Sequence, residues 1–134
     1  MTTDARMPKV SQRLNERSRL ALERHAAEEA TVEQRLSTLD QSGPTALERL
    51  AEVAQGHSGQ SHHCRRILLA IYNGPEWPLE LTRLRCLDRN LQRAALTVIE
   101  WSAYSGHELH ESLDDGEALM RRFWHVESDK GGVS

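Results

Sequence analysis

The thirty residues from Val10 to Leu39 contain neither glycine nor proline, and they are dominated by Ala, Leu, Glu, Arg and Gln. Those residues lose little side-chain freedom in a helix, so a run of this length and composition commits the chain to a long helix. No other stretch alternates at period two long enough to make a strand, and the fold class expected is all-α. The apolar residues of the run are sparse, among them Leu14, Ala21, Leu22, Ala26, Ala30, Val32, Leu36 and Leu39. A strict heptad started at Leu14 puts Ser18, His25 and Glu28 on the seam, which does not suit a durable coiled coil. The expectation is an arm that packs by its last turns or swaps onto a second copy.

Gln41-Ser42-Gly43-Pro44 is the clearest punctuation. Glycine and proline together predict the end of one helix, and a proline near a first turn predicts the start of the next. This divides the chain into an N-terminal helical arm (1–41, disordered over 1–8), a compact helical domain (42–127) and a disordered tail (128–134) containing Gly131 and Gly132. A chain of 134 residues suits a single compact domain.

Within that domain the apolar spacing predicts a small bundle of four or five short helices. Leu47, Leu50, Ala51 and Ala54 form one stripe, with Gly56 expected to end it in the left-handed conformation. Ser58 or Ser61 caps a second helix whose buried face is Cys64, Ile67, Leu68 and Ile71 and whose stop is Asn73-Gly74. Trp77, held between Pro75 and Pro78, is expected to plug the edge of the core. Thr82 is expected to cap a short helix and Asp88 the next, which carries Leu91, Ala94, Ala95 and Val98 inward and runs to about Tyr104. A final helix, capped by Asp114 or Ser112, carries Leu119, Met120, Phe123 and Trp124.

The longest apolar run, Ile67 to Tyr72, falls far short of the roughly 20 residues that span a bilayer. No signal-like apolar stretch follows Met1, so a cytoplasmic location without membrane contact is expected, with Cys64 and Cys86 kept as buried thiols. A net charge of −3 speaks against a chain whose main business is coating nucleic acid. The arm nevertheless begins basic, with Arg6, Lys9, Arg13, Arg17, Arg19 and Arg24 against Asp4, Glu16 and Glu23. Glu28, Glu29, Glu33 and Asp40 then reverse the sign.

His57, His62, His63 and Cys64 fall within eight positions, but no Cys-x-x-Cys or His-x-x-x-His pairs them, so no metal is expected. His107-Glu108-Leu109-His110-Glu111 has its histidines three apart where a metalloprotease helix needs four, and it reads as a turn with an acidic rim running from Glu108 to Glu117. Gly56 to Ser61 lacks the lysine of a phosphate loop. It reads as an interhelical turn in which Gln60 and Ser61 are the best polar candidates for a binding surface. A helix-turn-helix with Arg65 and Arg66 facing DNA puts Glu52 and His62 at positions that need small and aliphatic residues. No catalytic residue and no cofactor follow from these patterns.

Ala46-Leu47-Glu48-Arg49-Leu50, Ser58-Gly59-Gln60-Ser61, Ile67-Leu68-Leu69-Ala70 and Asn73 together resemble a family of small proteobacterial proteins, a domain of unknown function. Its pattern starts a helix with Thr/Ser-Gly-Gln-Ser; Leu81-Thr82, Leu84 and Asp88 resemble its next block. The resemblance covers about residues 46 to 125 and departs from the pattern at His62, His63, Cys64, Ile71 and Tyr72. It implies an accessory role, since such proteins occur in chromosomes, plasmids and integrating elements, and it carries no activity.

The reading is therefore a non-enzymatic protein-interaction module of a mobile element, self-associating through its arm or binding another protein. Gln60, Ser61 and Trp77 are its expected contact residues. The alternatives are a nucleic-acid-binding accessory protein using Arg65, Arg66, Arg89 and Arg93, and an acidic inhibitor of a host defence system presenting Glu108 to Glu117.

Overall fold

The structure is a computed structural model that describes residues 8–133, with side chains through residue 129. The disordered start expected for residues 1–8 lies, Pro8 apart, outside the described residues. Five α-helices and one 3-10 turn follow in order: α1 Lys9–Ala54, α2 Gly59–Tyr72, α3 Thr82–Arg85, α4 Arg89–Tyr104, the turn Leu109–Ser112, and α5 Gly116–Val133. No strand occurs among the described residues, and the all-α class holds. The chain divides into two compact units, Met1–Arg35 and Leu36–Ser134.

In the first unit α1 is a solvated helix: from Lys9 to Arg35 every residue except Ser11 is exposed. In the second unit α1 continues straight through the expected stop at Gly43-Pro44. The buried stripe explains this, because Leu39, Gly43, Leu47, Leu50, Ala51 and Ala54 keep helical spacing across it. Gly43 is a contact residue here, since a Cβ would run into the Trp101 indole, whose Nε1 donates to Asp40 Oδ1 at 2.9 Å. Pro44 removes one backbone donor from the helix, a loss of about 3 kcal/mol in an unsupported one, and the packed stripe outweighs it.

The core is built from Leu50 and Ala54 of α1, Cys64, Ile67 and Leu69 of α2, Ala95 and Val98 of α4, and Met120 and Phe123 of α5, all essentially buried. Each large apolar side chain so buried contributes about 1.5–3 kcal/mol. α2 is the central helix, packing against α3, α4 and α5. Its start is fixed by a capping box in which Ser58 Oγ accepts from the Ser61 amide at 3.1 Å and Ser61 Oγ accepts from the Ser58 amide at 3.2 Å. Asp88 caps α4 through the Leu91 amide, as expected.

Several local expectations are corrected. No glycine has positive φ among the described residues, so Gly56 does not end α1 in the left-handed conformation. Thr82 is the first residue of α3, which has no side-chain cap. α5 begins at Gly116, after Asp115 at φ 51°, so neither Ser112 nor Asp114 stands directly before it. A Cβ at Gly116 would run into the His110 carbonyl, so the 3-10 turn and the helix start meet only over a glycine. α5 extends to Val133, so the segment expected as a disordered tail from Ser128 is helical through that residue.

Candidate functional site

Arg65 sits on the inner side of α2, one residue from Cys64 and three from Leu68, and is only 3% exposed. A guanidinium there needs its donors matched inside the protein. One match is Glu127 of α5, whose carboxylate is fully buried and accepts from Arg65 Nε at 2.7 Å and from Arg66 Nε at 2.7 Å. The other is the end of α1, where Arg65 Nη1 donates to the Ala54 carbonyl at 2.8 Å and to Gly56 at 3.0 Å. The Ala54 carbonyl is one of those that a helix end leaves unpaired, at its negative pole, and Gly56 stands in the turn that follows. Arg65 thus ties α1, α2 and α5 together through one side chain.

The network extends outward through two histidines. Arg83 Nη1 lies 3.2 Å from both His62 Nε2 and His63 Nδ1, and its Nη2 donates to Glu80 at 3.0 Å. A guanidinium only donates, so both ring nitrogens accept. That leaves the His62 proton on Nδ1, which lies 2.6 Å from Glu127 Oε1. Burial alone would push the Glu127 carboxyl up, but the hydrogen bonds from Arg66 and Arg65 outweigh it and hold it below its ordinary value. Burial, followed by the charge of Arg83, lowers His63. Arg66 also stacks its guanidinium 4.6 Å from the centre of the Trp77 ring, which meets Trp124 edge-on at 5.5 Å.

A second, more exposed cluster lies on the same helices. Tyr72 donates to Glu117 Oε1 at 2.6 Å, and His110 Nε2 lies 3.1 Å from Glu117 Oε2. The Tyr72 hydrogen bond lowers Glu117 and raises Tyr72 itself.

The residues expected at a contact surface turn out to hold the fold. Ser61 is 2% exposed within the capping box, and Trp77 is buried between Arg66 and Trp124. Gln60 accepts from the Asp88 amide at 2.9 Å and fastens the start of α4. Arg65 faces inward and Arg66 is bound to Glu127, while Arg89 and Arg93 are exposed. Cys64 is a buried thiol pushed up to about 11 by burial and by Asp88; Cys86, expected to be buried, is exposed. Among the described residues no group of three or more His, Cys, Asp and Glu is placed to hold a metal ion. No helix among them is long and apolar enough to cross a membrane.

Glu127 was hidden from sequence reasoning because it stands beside the expected tail. The signal that points to it is Arg65, a charged residue at helical spacing with Leu68 and Leu69 on a face that is otherwise apolar.

Open clefts lie elsewhere on the second unit. One of about 500 Å³ is lined by Ile71, Ser102, Ser105, His107 and Glu108. There His107 Nδ1 lies 2.7 Å from the Ser105 hydroxyl and Nε2 lies 3.5 Å from that of Ser112. Both imidazole nitrogens of His107 thus stand beside hydroxyl groups, in a cleft that also holds Glu108 and Glu111. A second cleft, of about 280 Å³, has Ala54, Leu119, Phe123 and Val126 as its apolar lining, with His57, Arg65 and Arg122 beside them. A third, of about 240 Å³, carries Glu48, Glu52 and Asp114, and shares Gln55 and Leu119 with the second.

These features define a small all-α domain with a buried ionic network centred on Glu127. The domain is matched over residues 44–128 by a family of unknown function (DUF7673), and the chain belongs to that family. No curated protein and no solved structure matches the chain.

Proposed function

We propose that this protein is a cytoplasmic protein-interaction module that self-associates through the α1 segment Lys9–Arg35. The observation that carries the reading is the exposure of apolar side chains on that helix: Val10 is 65% exposed, Leu14 55%, Leu20 50% and Leu22 70%. Most helical stability in proteins comes from packing of an apolar face, and a partner that covers these side chains stabilises the segment. The charges of the segment are ordered, basic through Arg24 and acidic from Glu28, which favours a partner with the opposite order. The reading assigns the chain no catalysis and no cofactor. The accessory role in a bacterial mobile element rests on the resemblance carried by Ser58-Gly59-Gln60-Ser61 and its flanks.

Light scattering on the eluting protein at low and high salt, with and without duplex DNA, tests it. A discrete dimer indifferent to DNA supports the reading. A monomer that shifts onto DNA only at low salt overturns it in favour of nucleic-acid binding, through the basic start of the arm with Arg89 and Arg93.

A further inference from the structure

The chain between Trp77 and Leu87 crosses the surface of the second unit with little to hold it down. Trp77 and Leu87 are buried at its two ends, and between them only Arg83 and Leu84 are partly covered, whereas Leu81 is 70% exposed. Its helix, α3, is four residues long and has no side-chain cap. A helix that short does not stand alone in water, so the segment keeps its form only while it is docked.

Two side chains dock its middle. Leu84 packs against the core, and its carbonyl accepts from Gln92 Nε2 at 3.0 Å. Arg83 reaches α2, where its Nη1 carries two protons and meets two lone pairs, on His62 Nε2 and His63 Nδ1, each at 3.2 Å. The pair with Glu80 adds no anchor, because Glu80 belongs to the same segment and moves with Arg83. A permanent cation is thus held by two neutral imidazoles. A proton on either ring replaces an acceptor by a donor and adds a positive charge beside the guanidinium.

From this geometry we infer that Pro78–Cys86 is a pH-sensitive strap, latched to α2 while His62 and His63 are neutral and released when either takes up a proton. The device belongs to a single copy of the chain and does not depend on self-association. His63 faces Arg83 and Glu80 of the strap, His62 of α2 and Glu127 of α5, and burial, followed by Arg83, holds it below its ordinary 6.5. His62 faces Arg83, His63 and Glu127, and the Glu127 carboxylate is shared with Arg65 and Arg66. Glu127 favours a proton on His62, and that proton removes the lone pair that Arg83 uses. The latched form binds fewer protons than the released one, so acid favours release, beginning as pH falls below about 6.5. Trp77 and Leu87 stay buried at the two ends, so the opening is local.

Segment-resolved hydrogen exchange on the full-length chain, corrected for the intrinsic effect of pH on exchange, tests the strap. The amides of Arg83, Leu84 and Cys86 are bonded only within the strap, to Glu80, Leu81 and Arg83. Between about pH 7.5 and pH 5 they are expected to lose at least tenfold in protection, while those of α2 and α4 keep theirs. His62→Gln/His63→Asn puts amide oxygens that do not titrate near the two ring nitrogens, and its strap is expected to stay protected at both pH values. Arg83→Gln is expected to free the strap at both, with circular dichroism confirming the remaining helices. Equal protection at the two pH values in the unaltered chain overturns the inference. So does a double variant whose strap opens in acid as the unaltered one does, or an Arg83→Gln strap still protected at neutral pH.

Discussion

The two units of this chain treat charge and apolar surface in opposite ways. Between Lys9 and Arg35 the ionic contact Arg19–Glu23 spans 3.9 Å, with both side chains more than 60% exposed. In the second unit Glu127 is fully buried and held at 2.7 Å by two arginines. An exposed pair is screened and costs side-chain entropy to hold, so it contributes little. A buried carboxylate has lost its hydration, so the fold depends on every donor that replaces it. The apolar residues follow suit: Leu14 and Leu22 face water, whereas Leu50 and Ile67 are completely covered. The second unit therefore covers its own apolar and ionic groups, and the first leaves its own to solvent.

The largest expected effect is at Glu127. Glu127→Ala leaves the buried Arg65 guanidinium, and the partly exposed one of Arg66, without this counter-charge, and urea denaturation should show a loss of about 3–5 kcal/mol. Loss of less than 1 kcal/mol would mean that water replaces the carboxylate and the comparison is overstated. Next comes Gly43→Ala, which drives a methyl group into the Trp101 ring. Overpacking of this kind costs about 1–3 kcal/mol, read as a lower thermal midpoint. The same glycine-free change at a solvated helix position would stabilise, which is the sense of the contrast.

Acid provides a graded version of the same test. His63 is held below its ordinary value of 6.5 and Glu127 below its ordinary 4.5. In both cases the unfolded chain takes up the proton more readily than the folded one. The His63 contribution is therefore intact above about pH 6.5 and declines as pH falls through its folded value, and Glu127 repeats the pattern below about 4.5. The urea midpoint should fall between pH 7 and pH 5, and His63→Gln should flatten that decline. His63 faces Arg83, His62, Glu80 and Glu127, so it reports on the network as a whole. The smallest effect belongs to the solvated unit: Glu23→Ala should change stability by no more than about 0.5 kcal/mol, and less at high salt.

Much of the second unit was legible because its signals are local. The Ser58 cap, the Asp88 cap and the stripe Leu91, Ala95, Val98 each depend on neighbours within one helix. Gly43-Pro44 misled because glycine and proline were read as backbone punctuation, while the reason for Gly43 is Trp101, 58 residues on in the sequence. Ser61 and Trp77 were placed at a contact surface because polar and aromatic residues near a turn serve both uses, and only their burial separates the two. The Glu127 network joins residues more than sixty positions apart, a distance over which no periodicity carries. Its one local trace is a charged residue on an apolar face.

Hydrogen exchange of the full-length chain, resolved by segment and repeated across protein concentration, tests the central claim most directly. Amides from Lys9 to Arg35 should gain protection as concentration rises through the dimer range, while those of α2 and α4 stay protected throughout. Protection of Lys9–Arg35 that does not change with concentration, whether high or low, would contradict the account.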